Sequence, residues 1–269
     1  MISIGTTFNY DITLEKQLPM IKSAGFSHVS LGARIEHSRY LTLQGQKSIR
    51  QLLEENDLEV CSLHTPFGRD IDISSPADET KRNTIMIYSK CIDAALALGA
   101  RVVIFHPTAY MRFDHLGARK GRIVENVGRL LDHIGHAPVR LAIENERFEQ
   151  PNAILISSLE AVPDPRYGFC YDSSHDNLTA RPLTLLQKFG HRLLTTHISD
   201  NRGKDDDHML PYEGSFQWND FCKVFSNLHF GGVFLLEVEM RESSFKTPQE
   251  FLKEAFTRGH KLLNTCHKK

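Results

Sequence analysis

VRLAIE, residues 139–144, is an apolar, strand-like run that stops on an acid. Five other runs end in the same manner: VCSLH on His64, RVVIFH on His106, YGFCYD on Asp172, LLTTH on His197 and VFLLE on Glu237. A hydrophobic strand has no structural reason to end repeatedly on metal-ligand side chains, since burying such groups without partners is costly. A parallel barrel does have a reason, because its sites draw on the C-terminal ends of several strands and the loops that follow. The pattern predicts an α/β fold, a single-domain (β/α)8 TIM barrel spanning residues 1–269, and a metal-dependent enzyme.

Working outward, strand-like and helical segments alternate along the whole chain. Strands are expected at 2–5, 28–31, 59–64, 101–106, 139–144, 167–172, 193–197 and 233–237. Helices are expected at 13–24, near 45–55, and over 78–98, 122–134, 152–159, 183–189, 218–227 and 248 to about 263. Gly25 and Gly99 stand where left-handed helix stops are needed, and Pro163 and Pro165 separate a helix from the next strand. Alternating βα units imply parallel strands, and eight of them in 269 residues imply a closed barrel. An open doubly wound sheet is the runner-up. It would place its ligand at a single switch point, which fits a ring of strand-end ligands less well. The longest irregular stretches, 65–77, 107–118 and 199–217, all follow strand ends and are expected to cover the site.

Bulk composition excludes several classes. With 32 Lys and Arg against 33 Asp and Glu the net charge is −1, so no global field draws the chain to nucleic acid or an anionic membrane. No apolar run reaches the length of a membrane span and the N-terminus lacks a signal layout, so a soluble, cytoplasmic protein is expected. Cys61, Cys91, Cys170, Cys222 and Cys266 are odd in number, without CxxC spacing, and read as reduced thiols. No glycine-rich phosphate loop is present. A phosphorylated substrate would then be held by loop amides or by Arg69, Arg112 or Arg202.

Glu144, Asp172, His197 and Glu237 form the principal ligand set. Three carboxylates and one imidazole suit a divalent ion such as Mn²⁺, Mg²⁺, Co²⁺ or Zn²⁺. His64, His106, His175, Asp206 and His208 also fall where the barrel mouth should be, as substrate-binding groups or additional metal ligands. Arg202 and His175 are candidate partners for a substrate hydroxyl or oxyanion. Trp218 reads equally as a sugar-stacking ring or as helix packing, and Phe67 and Phe113 as further pocket walls. His28, His37, His115, His133, His136, His191, His229, His260 and His267 read as ordinary surface or core histidines.

HTPF at His64, VIFHP at His106, IEN at Glu144, YDSSH at Asp172 and His175, HISDN at His197, DDHMLPYEG at Asp206 and His208, and LLEVE at Glu237 together resemble the xylose isomerase-like superfamily of TIM barrels. Each piece alone is weak, but their order covers nearly the whole chain. In its ketose epimerase and inositol-catabolism branches, the resemblance implies one metal at Glu144, Asp172, His197 and Glu237. The two glutamates would exchange a proton with a carbon next to the substrate carbonyl, through an enediolate. That reading gives a divalent-metal-dependent sugar or sugar-phosphate isomerase or epimerase with a small-molecule partner.

The same resemblance supports an alternative, an endonuclease IV-like phosphodiesterase acting at abasic sites. Its nine ligand types, holding up to three zinc ions, match His64, His106, Glu144, Asp172, His175, His197, Asp206, His208 and Glu237. Against it stand the SDNRGKD segment, in place of a glycine- and serine-rich DNA-contacting loop, and the neutral charge balance. Gly214 and Trp218 close the loop as in the sugar-isomerase relatives. A sugar or inosose dehydratase and a degenerate sugar-binding barrel complete the alternatives. The sequence leaves a homo-oligomer open.

Overall fold

The computed structural model describes residues 2–110, 113–241 and 243–267. The first half of the chain forms β1 (Ile4–Thr7), α1 (Leu14–Ala24), β2 (His28–Leu31), α2 (Ile35–Ser38), α3 (Leu43–Asn56), β3 (Glu59–His64), α4 (Asp78–Leu98) and β4 (Val102–Phe105). The second half forms α5 (Leu116–Ile134), β5 (Arg140–Glu144), α6 (Glu149–Ala161), β6 (Tyr167–Asp172), α7 (Ser173–Asn177), α8 (Thr184–Phe189), β7 (Leu193–His197), α9 (Trp218–Phe225), β8 (Phe234–Glu237) and α10 (Pro248–His267).

All eight strands are parallel and lie in the order β7-β6-β5-β4-β3-β2-β1-β8. The two ends of that order meet. The Ile198 amide donates to the Leu235 carbonyl at 2.9 Å, and the Glu237 amide to the Ile198 carbonyl at 3.1 Å. The Leu235 amide is satisfied by the Thr196 hydroxyl at 3.0 Å instead of a ladder carbonyl. The chain is thus a nearly closed TIM barrel, as the strand-helix alternation predicts.

Side chains on a strand alternate faces, and that parity sorts the core. Val103 and Phe105 of β4, Leu141 and Ile143 of β5, and Phe169 and Tyr171 of β6 join the large apolar layer beneath the helices. Val102, Ile104, Ala142, Cys170 and Leu194 form a separate cluster inside the barrel. Glu144 and Asp172 stand two residues beyond Ala142 and Cys170, so they share the inward parity and cap that interior layer. A one-residue slip would turn them into the helix layer.

Helix limits differ from expectation where local chemistry extends them. α5 begins at Leu116, six residues early, and buries the Arg119 side chain. α6 begins before Pro151, which is tolerated in a first turn. α10 continues to His267, since no glycine or proline follows residue 259 to stop it. The single-turn helices α2 and α7 were not expected. α7 forms because the Asp172 carboxylate caps it, accepting from the His175 amide at 2.7 Å.

The cysteine reading is corrected. Cys222 of α9 and Cys266 of α10 form a disulfide across two packed helices, while Cys61, Cys91 and Cys170 are free. The partners are 44 residues apart, a separation that carries no pairing signal in the sequence. Among the described residues no helix is long and apolar enough to cross a membrane.

Candidate functional site

The strand ends converge. Glu144, Asp172, His197 and Glu237 each offer a ligand atom, and these four atoms lie within 4.8 Å of one another. His197 Nδ1 stands 2.8 Å from Glu144 Oε1, 3.0 Å from Glu237 Oε2 and 4.0 Å from Asp172 Oδ2. Asp172 is fully buried, yet its Oδ2 has no hydrogen-bond partner. Buried polar atoms are almost always satisfied, so an orphaned carboxylate oxygen beside three other donors fits a cation-binding position. Asn145 fixes the backbone there: its Oδ1 accepts from the Asp172 amide at 2.8 Å and its Nδ2 donates to the Asp172 carbonyl at 2.8 Å.

A second trio adjoins the first. His64 Nε2, His106 Nε2 and Glu144 Oε2 lie 3.1–3.3 Å apart. The outer nitrogens are held by the Thr65 carbonyl at 2.8 Å (His64 Nδ1) and by Glu146 at 3.0 Å (His106 Nδ1). Such outer partners fix the ring orientation and leave the inner Nε2 as the site-facing atom. A third group joins His175 Nε2 and His208 Nε2 to Asp206 Oδ2, both at 3.2 Å. His175 Nδ1 lies 2.8 Å from the Asn145 carbonyl.

The loop carrying Asp206 and His208 is built around the buried Asp200. Its carboxylate accepts from the amides of Tyr212 and Phe216 at 3.1 Å and from Trp218 Nε1 at 2.9 Å. Gly214 passes so close that a Cβ there would meet the Asn201 carbonyl oxygen at 2.2 Å. A glycine is therefore required by approach, not by backbone angle. The Ser174 hydroxyl donates to Asp206 Oδ1 at 2.7 Å and ties the loop to α7.

Crowded acids and imidazoles set the charges. Burial works to neutralise Glu144, but the rings of His197, His106 and His64 hold it well below the ordinary carboxylate range. Burial likewise opposes ionisation of Glu237, and His197 outweighs it, leaving a pKa of about 2. Asp172 behaves differently: burial, joined by the charges of Glu144, Asp206 and Glu237, pushes it up to about 7 against the pull of His175. Burial would neutralise His208, yet the Asp206 carboxylate raises it to about 10. Asp172 is thus the acid of the cluster that burial most opposes ionising, and a bound cation would favour its charged form.

Above these groups opens a cavity of about 200 Å³. Glu144, Glu237, His64, His106, His175, Asp206 and His208 line it, with the Phe67 ring tilted against His106 at 4.4 Å between centroids. Asp172 and His197 lie beneath as floor, buried to within 1%. Tyr10 and Arg34 form the opposite wall, the guanidinium 4.8 Å over the phenol ring.

Several candidate residues stand outside the cavity, and Trp218 takes the packing role of its two readings. Arg202 does not line the cavity; its side chain is half exposed, with Nη1 4.0 Å from Asp207 Oδ2. Its loop is folded on Asp200 and Asn201, which turns position 202 outward. Trp218 does not reach the cavity either, being buried between Phe216 and Phe221 with its indole N–H spent on Asp200. Phe113 packs under the Arg119 guanidinium, outside the pocket. Arg69 also stands outside it, and Arg112 lies outside the described residues. Sequence reasoning missed Asn145, Glu146, Tyr10 and Arg34. The first two directly follow Glu144 in IENE, whereas the last two sit in unpatterned loops and gave no signal.

A model of the xylose isomerase-like TIM barrel family matches residues 18–255. The chain belongs to that family. Among curated relatives of this xylose isomerase-like barrel, an uncharacterised protein of Sinorhizobium fredii is 27% identical over 249 residues, covering 82% of this chain and 79% of its own. The fructoselysine 3-epimerase of Shigella flexneri is 24% identical over 227 residues, covering 81% of each chain. The solved structure of a D-tagatose 3-epimerase-like protein superposes with a TM-score of 0.80 at 18% identity, over 98% of both chains. That of an IolI protein with a bound zinc atom superposes with a TM-score of 0.77 at 15% identity, over 99% of this chain and 98% of the other.

Proposed function

We propose that this protein is a divalent-metal-dependent sugar epimerase or isomerase acting on a small polyhydroxy carbonyl compound, free or phosphorylated. The observation that carries the reading is the convergence of Glu144, Asp172, His197 and Glu237 around the orphaned Asp172 Oδ2 at the floor of a cavity. These four residues would hold the ion, with Mn²⁺, Mg²⁺, Co²⁺ or Zn²⁺ compatible with the donor set. A cation there would act as a Lewis acid on a carbonyl and its neighbouring hydroxyl.

The chain's own groups supply the rest. Glu237 and Glu144 are both held ionised near neutral pH, the form a general base needs. Glu237 has the better access, with 21% of its side chain exposed against 1% for Glu144. In this reading Glu237 takes a proton from the carbon next to the carbonyl, giving an enediolate; Glu144, first protonated from water, delivers a proton to the other face, and Glu237 then releases its own to water. Protonation of the former carbonyl carbon moves the carbonyl, whereas protonation of the original carbon on its opposite face inverts that centre. His64, His106, His175 and His208 surround the cavity as hydrogen-bonding partners for substrate hydroxyls, and Phe67 covers an apolar sugar face. The small cavity suits a monosaccharide better than a nucleic acid strand. The epimerase names carried by the Shigella relative and the D-tagatose 3-epimerase-like structure, and the zinc of the IolI structure, support the same reading.

A second reading rests on the two further trios, His64–His106–Glu144 and His175–Asp206–His208. The first has ligand atoms close enough for a further ion, and in the second both rings stand 3.2 Å from Asp206, which supports additional zinc ions and hence an endonuclease IV-like phosphodiesterase. One experiment separates the two. The purified protein, loaded in separate samples with Mn²⁺ and with Zn²⁺ and assayed for bound metal, is incubated in D₂O with a panel of ketoses and inososes, and in parallel with an abasic-site duplex. Deuterium entering the carbon next to a carbonyl, with about one ion per chain, supports the epimerase. Strand cleavage with about three zinc ions and no deuterium uptake would replace it.

A further inference from the structure

The opposite end of the barrel holds a larger cavity, about 730 Å³, that the candidate active site does not use. Its walls are the N-terminal ends of the strands: His28 opens β2, Glu59 opens β3, Arg101 precedes β4 and Val102 opens it, Arg140 opens β5 and Val233 precedes β8. The volume falls in the range of small-molecule pockets, roughly 300–1,000 Å³.

Two arginines, Arg101 and Arg140, line it, and neither is paired with its one acid, Glu59. Val102 and Arg140 are register partners on neighbouring strands, and the Arg140 amide donates to the Arg101 carbonyl at 2.9 Å. Both residues line the cavity, Arg101 exposed and Arg140 partly buried. Neither guanidinium has an ion pair or side-chain hydrogen bond among the described residues. The one acid in the lining, Glu59, lies nearest to the His28 ring, at 3.8 Å. Like charges side by side on a sheet are destabilising. Burial first, and the Arg101 charge second, depress the Arg140 pKa, as expected of a cation short of a counterion. The remaining surface is mixed: the Phe230 ring and Leu263 are apolar, and Asn264 is polar.

We propose that this lower mouth binds a compact organic phosphate monoester, its phosphoryl group between Arg101 and Arg140 and its body against Phe230. Two guanidiniums match the charge of about −2 on a phosphate monoester better than the single charge of a carboxylate. Guanidinium forks also suit phosphate oxygens bidentately. A lone inorganic ion would leave most of the cavity unfilled. The site is independent of the epimerase reading, since none of its residues reaches the upper cavity.

Calorimetric titration of metal-stripped protein with phenyl phosphate, adenosine monophosphate and inorganic phosphate, at constant ionic strength, tests this. At least one organic phosphate is expected to bind at one site per chain, at least tenfold tighter than inorganic phosphate. The Arg101→Ala/Arg140→Ala double variant should weaken that binding at least tenfold. Gly231→Glu is a second variant that keeps the test valid if the double variant misfolds. Gly231 lines the cavity, and a Cβ there meets nothing within 4 Å, so a carboxylate can be added without a clash. It should also lower the affinity at least tenfold. No binding by any of the three probes, equal binding of inorganic phosphate, or unchanged affinity in a folded variant would each overturn the proposal.

Discussion

His197 Nδ1 lies 2.8 Å from Glu144 Oε1, with each residue at the end of its own strand and two strands apart in the barrel. β5 and β7 never pair directly. β6 lies between them and places Asp172 on the same ring. The contact across the barrel exists because closure curves alternate strands toward a common axis. It also explains why Glu144 stays ionised although buried, since the ring opposite stabilises its charge.

Replacing Glu237 with Gln keeps the side chain's shape and removes its basicity. The variant should fold with an unchanged circular dichroism spectrum. Its rate of solvent-deuterium incorporation into a turned-over ketose should fall by roughly 10²–10⁴, the usual worth of a general base. Exchange at the wild-type rate would remove Glu237 from the proton-transfer step.

Metal stabilisation should depend on pH through Asp172. In the metal-free protein this group keeps its proton up to about pH 7, whereas the unfolded chain loses it near the ordinary value of 3.8. The folded state therefore binds the extra proton between those limits. Its contribution to the metal-free protein is full below pH 3.8 and declines as pH rises to about 7. A cation needs the ionised Asp172 carboxylate and a neutral His197 ring, so its affinity should rise with pH through 7 and beyond, because against burial Cys170, Glu144 and Glu237 raise the His197 imidazole well above its ordinary value. Melting with Mn²⁺ or Zn²⁺ and with chelator at pH 5.5 and 8 should show the larger metal-induced shift at pH 8. Equal shifts at both values would contradict the assignment of Asp172 as a ligand.

Arg119 and Asp72 form a buried ion pair at 2.7 Å, and Arg119 also donates to Ser74 and Thr108, which fastens two loops of the mouth to α5. Arg119→Ala leaves the Asp72 charge buried without its partner, so it should cost about 3–5 kcal/mol by urea denaturation. The Asp72→Asn/Arg119→Met double variant should recover part of that loss. A loss below about 1 kcal/mol in the single variant would show that the pair is not needed to hold the mouth.

Thiol titration of protein denatured without reductant should count three cysteines, Cys61, Cys91 and Cys170, and five after reduction. Reduction should lower stability by about 2–4 kcal/mol, because the bridge closes a long loop and constrains the unfolded chain. Five thiols before reduction would mean that α9 and α10 are held by packing alone.

The strand-end pattern made the barrel legible, because parity along a strand is local and survives in sequence. VRLAIE and YGFCYD specify by themselves that Glu144 and Asp172 share a face with Ala142 and Cys170. Family motifs likewise marked His64, His106, His175, Asp206 and His208, and the structure brings all of them to one cavity. What the sequence could not decide was set by approach between distant segments. Asp200 claims the Trp218 indole and turns Arg202 outward, Glu146 orients His106, and Arg34 arrives from the loop after β2. Cys222 meets Cys266 only because α9 packs on α10. Periodicity records which way a side chain faces, whereas its partner is chosen by the packing of segments tens to hundreds of residues apart.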